Sequence, residues 1–453
     1  MSNIFKAYDV RGIYPEEINK DNAYKIGFAT VKFLQAKNSG KRLNLVVGED
    51  ARIASPELRG AVIDALTKAG VDVFYIGQCT TPLFYFSVNK LNADGGLMVT
   101  ASHNPPQYGG LKIVGPDSRP IGSESGLKEI EKISEGEFNS ADQAGTIKEV
   151  DLVSDYINFL IKESGINVSS NNNIKLVIDA GNGMTPSVLD SLIKKLGLPA
   201  SRMYFEIDCN FPNHSPDISK AEALNDLRNK VMEERANLGV AFDGDGDRVM
   251  FVDNDGKIIR AEFILALLFE DKSSLFKKPK TVYDLRISRS VKELLGDRGI
   301  KSRPGHSMMK KVMRDHDADL GGELSGHFFF KEMKYVESSI LVMLKLLKIM
   351  SKTGKPLSDL VRSFEKYYHS GEINIDISKN LNIKTSVIQI LKDKYGDGII
   401  DELDGITVEY LNWWFNVRAS NTEPLLRLVV EAETKEMMDQ KAAEISEVIK
   451  NAA

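Results

Sequence analysis

Four short stretches carry side chains whose types and spacing could do chemistry. In DGDGDR, residues 243–248, three carboxylates alternate with glycines. Alternate residues of an extended turn project to one side, and the glycines let the backbone curl, so Asp243, Asp245 and Asp247 suit a hard cation such as Mg²⁺. An EF-hand loop would need glycine at its sixth position and glutamate at its twelfth, where Arg248 and Asn254 stand. The rival reading is a solvated acidic turn, which the apolar run LGVAF just ahead disfavours. In TASHNP, residues 100–105, Ser102 closes an apolar run and His103 follows it. The surroundings do not fit a G-x-S-x-G elbow, so acyl transfer is a poor reading. A capping role for Ser102 and plain turn roles for Asn104 and Pro105 are the bland alternatives. Lys112, behind Gly109 and Gly110, is a candidate cation for this loop, with glycines that can let it fold back.

GELSGHF, residues 322–328, offers Glu323, Ser325 and His327 at alternate positions. Carboxylate, hydroxyl and imidazole suit the hydroxyls of a sugar, or can bond one another. The chain has six histidines, and His103, His306 and His327 all lie in glycine-containing loops, a concentration that favours function. Near the C-terminus, Arg418, Ser420, Asn421 and Thr422 stand between two apolar strand-like runs. They make a phosphate cradle of guanidinium, hydroxyls and turn amides, or a plain hairpin turn. No G-x-x-x-x-G-K-[ST] occurs, nor a G-x-G-x-x-G after a strand, which argues against P-loop kinases and NAD-dependent dehydrogenases.

These loops need elements to position them, and the chain supplies the same unit three times. LNLVVGED, SPELRGAVIDALTKAG and VDVFYIG form the first; IKLVIDAGNG, TPSVLDSLIKKLG and a strand near RMYFEID the second; KTVYDLR, SRSVKELLGDRG and IKSRPG the third. Each helix is expected behind a capping Ser55, Thr185 or Ser288 and to stop near Gly70, Gly197 or Gly299. The next strand of each unit runs into TASHNP, DGDGDR or GELSGH. In open α/β sheets ligands collect beyond the carboxyl ends of strands, so three equivalent loops can face one cleft.

A chain of 453 residues exceeds one ordinary core and suggests three or four domains. The net charge of −5, with both signs mixed, describes a soluble surface and neither a nucleic-acid nor a membrane binder. Two cysteines, Cys79 and Cys209, make no disulfide framework or metal spacing and fit a reducing compartment. The start lacks a signal-peptide pattern and the longest apolar run, FILALLF, is far short of a membrane span, so a cytoplasmic location is expected. Breaks are placed at 150/151, after a polar glycine-containing stretch, at 253/254 after the acidic loop's strand, and at 369/370 before GEINIDIS.

With TASHNP, DGDGDR, GE-x-SGH and R-x-SNTEP in this order, the chain resembles the α-D-phosphohexomutase family, most of all its phosphomannomutase/phosphoglucomutase members. The likeness runs from AYDVRG at 7–12 to RASNTEP at 418–424. It implies a heart-shaped α/β molecule around a central cleft: three related α/β domains with mixed sheets (1–150 phosphoserine, 151–253 metal-binding, 254–369 sugar-binding) and a smaller α+β phosphate-binding domain, 370–453. It implies Ser102 as phosphoryl carrier and, through its phosphate, as metal ligand beside Asp243, Asp245 and Asp247. Glu323, Ser325 and His327 become the sugar loop; Arg418, Ser420, Asn421 and Thr422 the phosphate loop; Arg11, His103, Lys112, Arg248 and His306 charged or proton-transferring groups.

The implied reaction interconverts hexose 1-phosphate and hexose 6-phosphate, of mannose and also glucose, with Mg²⁺ and a hexose 1,6-bisphosphate as activator and intermediate. The partners are then small hexose phosphates, on a monomer or a homodimer. A phosphoglucosamine mutase and a catalytically inactive sugar-phosphate-binding protein are the alternatives. Leu324 resembles the mannose/glucose type, whereas EMKYVES after GHFFFK and Arg286 in YDLRIS depart from the pattern of many relatives.

Overall fold

The computed structural model describes residues 4–37, 41–167, 174–275, 279–378, 383–420 and 424–452. The three repeated units fold into three sheets of one design. The first contains β1 (Val10–Ile13), β2 (Asn44–Glu49), β3 (Asp72–Gln78), β4 (Gly95–Val99), β5 (Tyr108–Val114) and β6 (Ile147–Glu149). The second contains β7 (Leu176–Asp179), β8 (Ala200–Met203), β9 (Leu238–Phe242), β10 (Val249–Asp253) and β11 (Ile258–Ile259). The third contains β12 (Thr281–Asp284), β13 (Gly299–Ser302), β14 (Leu320–Gly322), β15 (Phe328–Phe330) and β16 (Val336–Glu337).

Their shared core is the order β5-β4-β2-β3, repeated as β10-β9-β7-β8 and β15-β14-β12-β13. In each, the first strand lies between two parallel neighbours, and the next strand turns back antiparallel. Parallel pairing requires a crossover, which the intervening helices provide. The three chemical loops therefore occupy one equivalent place, between β4 and β5, β9 and β10, and β14 and β15. The break expected at 253/254 falls in the hairpin between β10 and β11, which pair.

Helix starts depart from expectation. Ser288 does cap its helix, accepting from the Ser290 N–H at 3.3 Å. Ser55 instead lies inside the first turn and gives its hydroxyl to Asp50, and Thr185 makes no cap bond although it occupies the capping position. The residues preceding both helices already have right-handed helical backbone, whereas a side-chain cap needs an extended one; Pro56 and Pro186 open these helices instead.

One apolar core runs through the first three domains and includes Phe84, Tyr156, Leu192, Phe263 and Leu344, while a second within the first domain gathers Phe33, Leu45, Val62 and Leu97. The helix Ser339–Thr353 runs through it, and no described helix is long and apolar enough to cross a membrane. The C-terminal domain has its own core around Phe415, Leu428 and Ile445. Its sheet comprises β17 (Tyr368–His369), β18 (Ile373–Asp376), β19 (Ile399–Asp401), β20 (Ile406–Glu409), β21 (Trp413–Ala419) and β22 (Leu425–Ala432). The order is β17-β22-β21-β20-β19, with β18 also on β22. The expected break at 369/370 falls directly after β17, whose residues pair with this last sheet.

Candidate active site

Ser102 follows β4 in a left-handed conformation, φ 52°, which a non-glycine residue holds only under constraint. Three groups supply that constraint. Its N–H donates to the Thr100 hydroxyl at 2.9 Å, and its carbonyl accepts from Arg52 at 2.6 Å. Gly244 packs against it: a Cβ there would stand 2.8 Å from the Ser102 carbonyl oxygen. The serine loop of the first domain and the acidic loop of the second thus touch. The Ser102 hydroxyl lies 3.3 Å from His103 Nδ1. Arg11 reaches the same loop, donating to the side chain of Asn104 and pairing with Asp9.

Asp243, Asp245 and Asp247 are all buried, and each offers an oxygen within 4.8 Å of the others. Lys112 is buried as well and places Nζ 2.6 Å from both Asp245 Oδ2 and Asp247 Oδ2. It reaches them from the middle of β5, so the expected fold-back on a glycine loop is not what occurs. The glycines serve strand packing: a Cβ on Gly110 would meet the Val10 carbonyl at 2.5 Å and the Thr100 carbonyl at 2.7 Å. Thr81 adds a hydroxyl bond to Asp245 at 2.5 Å.

One ammonium does not balance three carboxylates. Burial and the charges of Asp247 and Asp245 push the Asp243 carboxyl well above its usual range. At Asp247 burial acts the same way, but Lys112 and His327 outweigh it and hold that group ionised. Asp243 Oδ2 and Asp245 Oδ1 are sealed without a hydrogen-bond partner among the described residues. Crowded, sealed, partnerless carboxylate oxygens fit a hard cation, which would satisfy them together.

The third loop meets the same cluster. His327 places Nε2 3.2 Å from Asp247 Oδ1 and Nδ1 3.0 Å from Glu323 Oε2, with the Ser325 hydroxyl 3.1 Å from Nδ1. Burial alone would lower this imidazole, but the two carboxylates prevail and push it up to about 9. Arg248 Nε lies 3.3 Å from His327 Nε2, and its guanidinium lies 3.8 Å from both Asp243 and Asp217. His306 opens the helix His306–His316, its ring 6.1 Å from that of His327. Burial and nearby cations hold His103 and His306 well below the usual histidine range. Beside them a cavity of about 640 Å³ opens between the first, third and last domains, lined by Tyr8, Gly122, Arg303, Ser307 and Asp404 among others.

Arg418 joins this group at one remove. It is buried at the end of β21, 3.4 Å from Glu372 and 3.8 Å from Asp404, and Glu372 in turn pairs with Arg286. Ser420 is buried beside it; Asn421 and Thr422 lie outside the described residues. Several groups escaped the motif reading. Arg52 spends its guanidinium on the carbonyls of Ser102, Asn104, Pro105 and Tyr108 at 2.6 to 3.3 Å, and Lys310 lies 3.4 Å from His306. The one signal in reach was repetition, since Asp50-Ala51-Arg52-Ile53 and Asp284-Leu285-Arg286-Ile287 match after equivalent strands.

Comparison with known proteins agrees with this assembly. Profiles described as phosphoglucomutase/phosphomannomutase match four times: alpha/beta/alpha domains I, II and III at residues 2–140, 154–256 and 261–367, and the C-terminal domain at 359–448. A phosphomannomutase of Methanocaldococcus jannaschii is 38% identical over 98% of this chain and 97% of its own length. A phosphomannomutase/phosphoglucomutase of Pseudomonas aeruginosa is 36% identical over 97% of this chain and 94% of its own. The crystal structure of a phosphoglucomutase/phosphomannomutase family protein from Burkholderia thailandensis superposes with a TM-score of 0.89 at 31% identity, covering 100% of this chain and 98% of that one. Three equivalent loops on three equivalent sheets, closed by a fourth domain, thus place the chain in the phosphoglucomutase/phosphomannomutase family: it is a phosphohexomutase, an isomerase of hexose phosphates.

Proposed function

We propose that the chain interconverts the 1- and 6-phosphates of mannose and also of glucose, with Ser102 as a reusable phosphoryl carrier. What supports this most directly is the contact of Gly244 with the Ser102 carbonyl, which joins the loop of a constrained serine to the loop that carries three buried carboxylates. Asp243, Asp245 and Asp247 would hold Mg²⁺, whose part is to neutralise charge on the transferring phosphoryl group. The family and the two relatives named for mannose phosphates support the substrate class. The buried, unpaired Cys79 and Cys209 are in keeping with a cytoplasmic setting.

In the forward half-reaction, from phospho-Ser102, the P–O bond to Ser102 breaks as phosphorus bonds the free sugar hydroxyl oxygen; that hydroxyl's proton passes to a base and the departing Ser102 oxygen takes up a proton, leaving free serine and hexose 1,6-bisphosphate. After this intermediate turns over, its other phosphoryl returns to Ser102 and the proton path reverses. Lys112, Arg248 and Arg11 supply positive charge around the moving group, and Glu323, Ser325 and His327 take sugar hydroxyls. Arg418 and Ser420, with Asn421 and Thr422, would hold the phosphate that does not react.

The test is turnover of mannose 1-phosphate, glucose 1-phosphate and glucosamine 6-phosphate with Mg²⁺ and catalytic hexose 1,6-bisphosphate, alongside intact-mass analysis. One phosphoryl mass on the wild type and none on Ser102→Ala is expected. Equal labelling of both would overturn the carrier, and turnover confined to the glucosamine substrate would overturn the sugar assignment.

A further inference from the structure

We infer that Lys310, anchored by Glu337, fixes the tautomer of His306, so that this imidazole serves the cleft as a neutral N–H donor at Nε2. The helix His306–His316 sets residues four apart on one face, and Lys310 Nζ accordingly lies 3.4 Å from His306 Nδ1. Lys310 is fully buried, 2.6 and 2.9 Å from the two carboxylate oxygens of Glu337 and 4.2 Å above the ring of Tyr85. Burial, with Lys112 nearby, lowers this ammonium from its usual range, and the Glu337 ion pair and the aromatic face oppose that shift and favour the charged form.

An ammonium has three donors and no acceptor. The nitrogen facing it must present a lone pair, so the single proton of a neutral imidazole resides on Nε2. Neutrality follows from burial together with the nearby cations Lys310 and Lys112. The ring is also held from turning over: Tyr8 packs edge-on at 5.5 Å and 65°, and the Tyr8 hydroxyl donates to the Pro304 carbonyl at 3.3 Å. Nε2 makes no hydrogen bond among the described residues.

The consequence divides labour among the imidazoles. With Nδ1 covered and Nε2 protonated, His306 donates to a substrate oxygen, and the base that accepts the sugar hydroxyl's proton must be another group. Lys310 and Glu337 are positioning residues that act through His306. That catalytic consequence rests on the function proposed above; the tautomer itself does not.

Long-range ¹⁵N–¹H correlation on protein labelled at histidine nitrogen reads the tautomer directly, with His306→Gln to assign the signals. The expected wild-type pattern is one bare nitrogen at Nδ1 and one protonated nitrogen at Nε2 near neutral pH; an Nδ1–H ring or a charged ring overturns the inference. In Lys310→Met the Nε2–H population should fall and kcat drop about tenfold or more while KM stays within about threefold. Lys310→Arg, which keeps a donor, should restore the wild-type pattern. Should Lys310→Met fail to fold, Glu337→Gln is read in the same spectrum, where an unchanged tautomer with unchanged kcat overturns the anchoring role. Because the spectrum needs no turnover, failure here is distinguishable from failure of the mutase reading.

Discussion

The turns after β2 and after β12 are the same local object put to different use. In both, an aspartate that ends the strand region accepts from the backbone N–H of an arginine two residues on at 3.1 Å and binds its Nε at 2.9 to 3.1 Å. Asp50–Arg52 then turns inward, to four carbonyls of the serine loop in its own domain, and stacks on Phe211 of the second domain at 5.2 Å. Asp284–Arg286 turns outward, across a domain boundary, to Glu372, which also takes Arg418 and Arg427. The first arginine shapes the serine loop; the second ties the C-terminal domain on by charge pairs. The local geometry is alike as far as Nε, but Arg286 also gives Nη2 to its own aspartate while Arg52 leaves both terminal nitrogens for the loop carbonyls, and these partners distinguish a loop brace from a latch.

That contrast can be broken at its strongest point first. Arg52→Lys keeps the charge but has one nitrogen in place of a fork and cannot span four carbonyls. Steady-state kinetics should show kcat lower by about 100-fold with KM within about threefold, as misplacement of the reacting group requires. Unimpaired kcat would remove the brace from the mechanism. Arg286→Lys should act the other way, raising KM about tenfold at nearly constant kcat, the worth of one charge-assisted bond; a large kcat loss would place Arg286 in the chemistry.

Glu372 is part-exposed, so Glu372→Gln should change KM by less than about fivefold, and added salt should shrink the difference. A salt-independent effect would show a latch more buried than its geometry implies. The smallest effect belongs to the second unit, whose equivalent turn reads Asp179-Ala180-Gly181. There Asp179 accepts from the Gly181 N–H at 2.8 Å and pairs with His214 at 3.1 Å in place of an arginine. Burial opposes the charged imidazole, but Asp179 outweighs it and raises the group above 6.5. Stability from this pair is therefore full below about pH 6.5 and lost as pH rises through the folded value. The thermal midpoint of wild type should fall relative to His214→Asn on going from about pH 6 to about pH 9; parallel curves would show that the pair carries no linkage.

Much of this fold was legible because it is repeated: strand, helix and strand signals recur in phase, and a parallel strand pair demands its crossover helix wherever it occurs. The three loops were legible because each packs unusual side chains into a few residues. Arg52 was not, since an arginine after a strand reads as ordinary turn surface until the loop above it is in place. Lys310 was hidden by helical periodicity, which marks it as facing His306 but not as sealed against Glu337. The expected caps at Ser55 and Thr185 failed because residue type was taken without the backbone conformation that a cap requires.

By itself, then, the sequence determined the alternation of carboxylates and glycines at 243–248 and the three strand-ended loops, because these depend on contacts within a few residues. Tertiary structure alone decided that Lys112 points from β5 into the carboxylates, that Gly244 touches Ser102, and that one arginine braces while its twin reaches another domain. Those contacts join residues from 50 positions apart, Arg52 and Ser102, to 142 apart, Ser102 and Gly244. Their energies come from burial and charge compensation, which no local pattern carries.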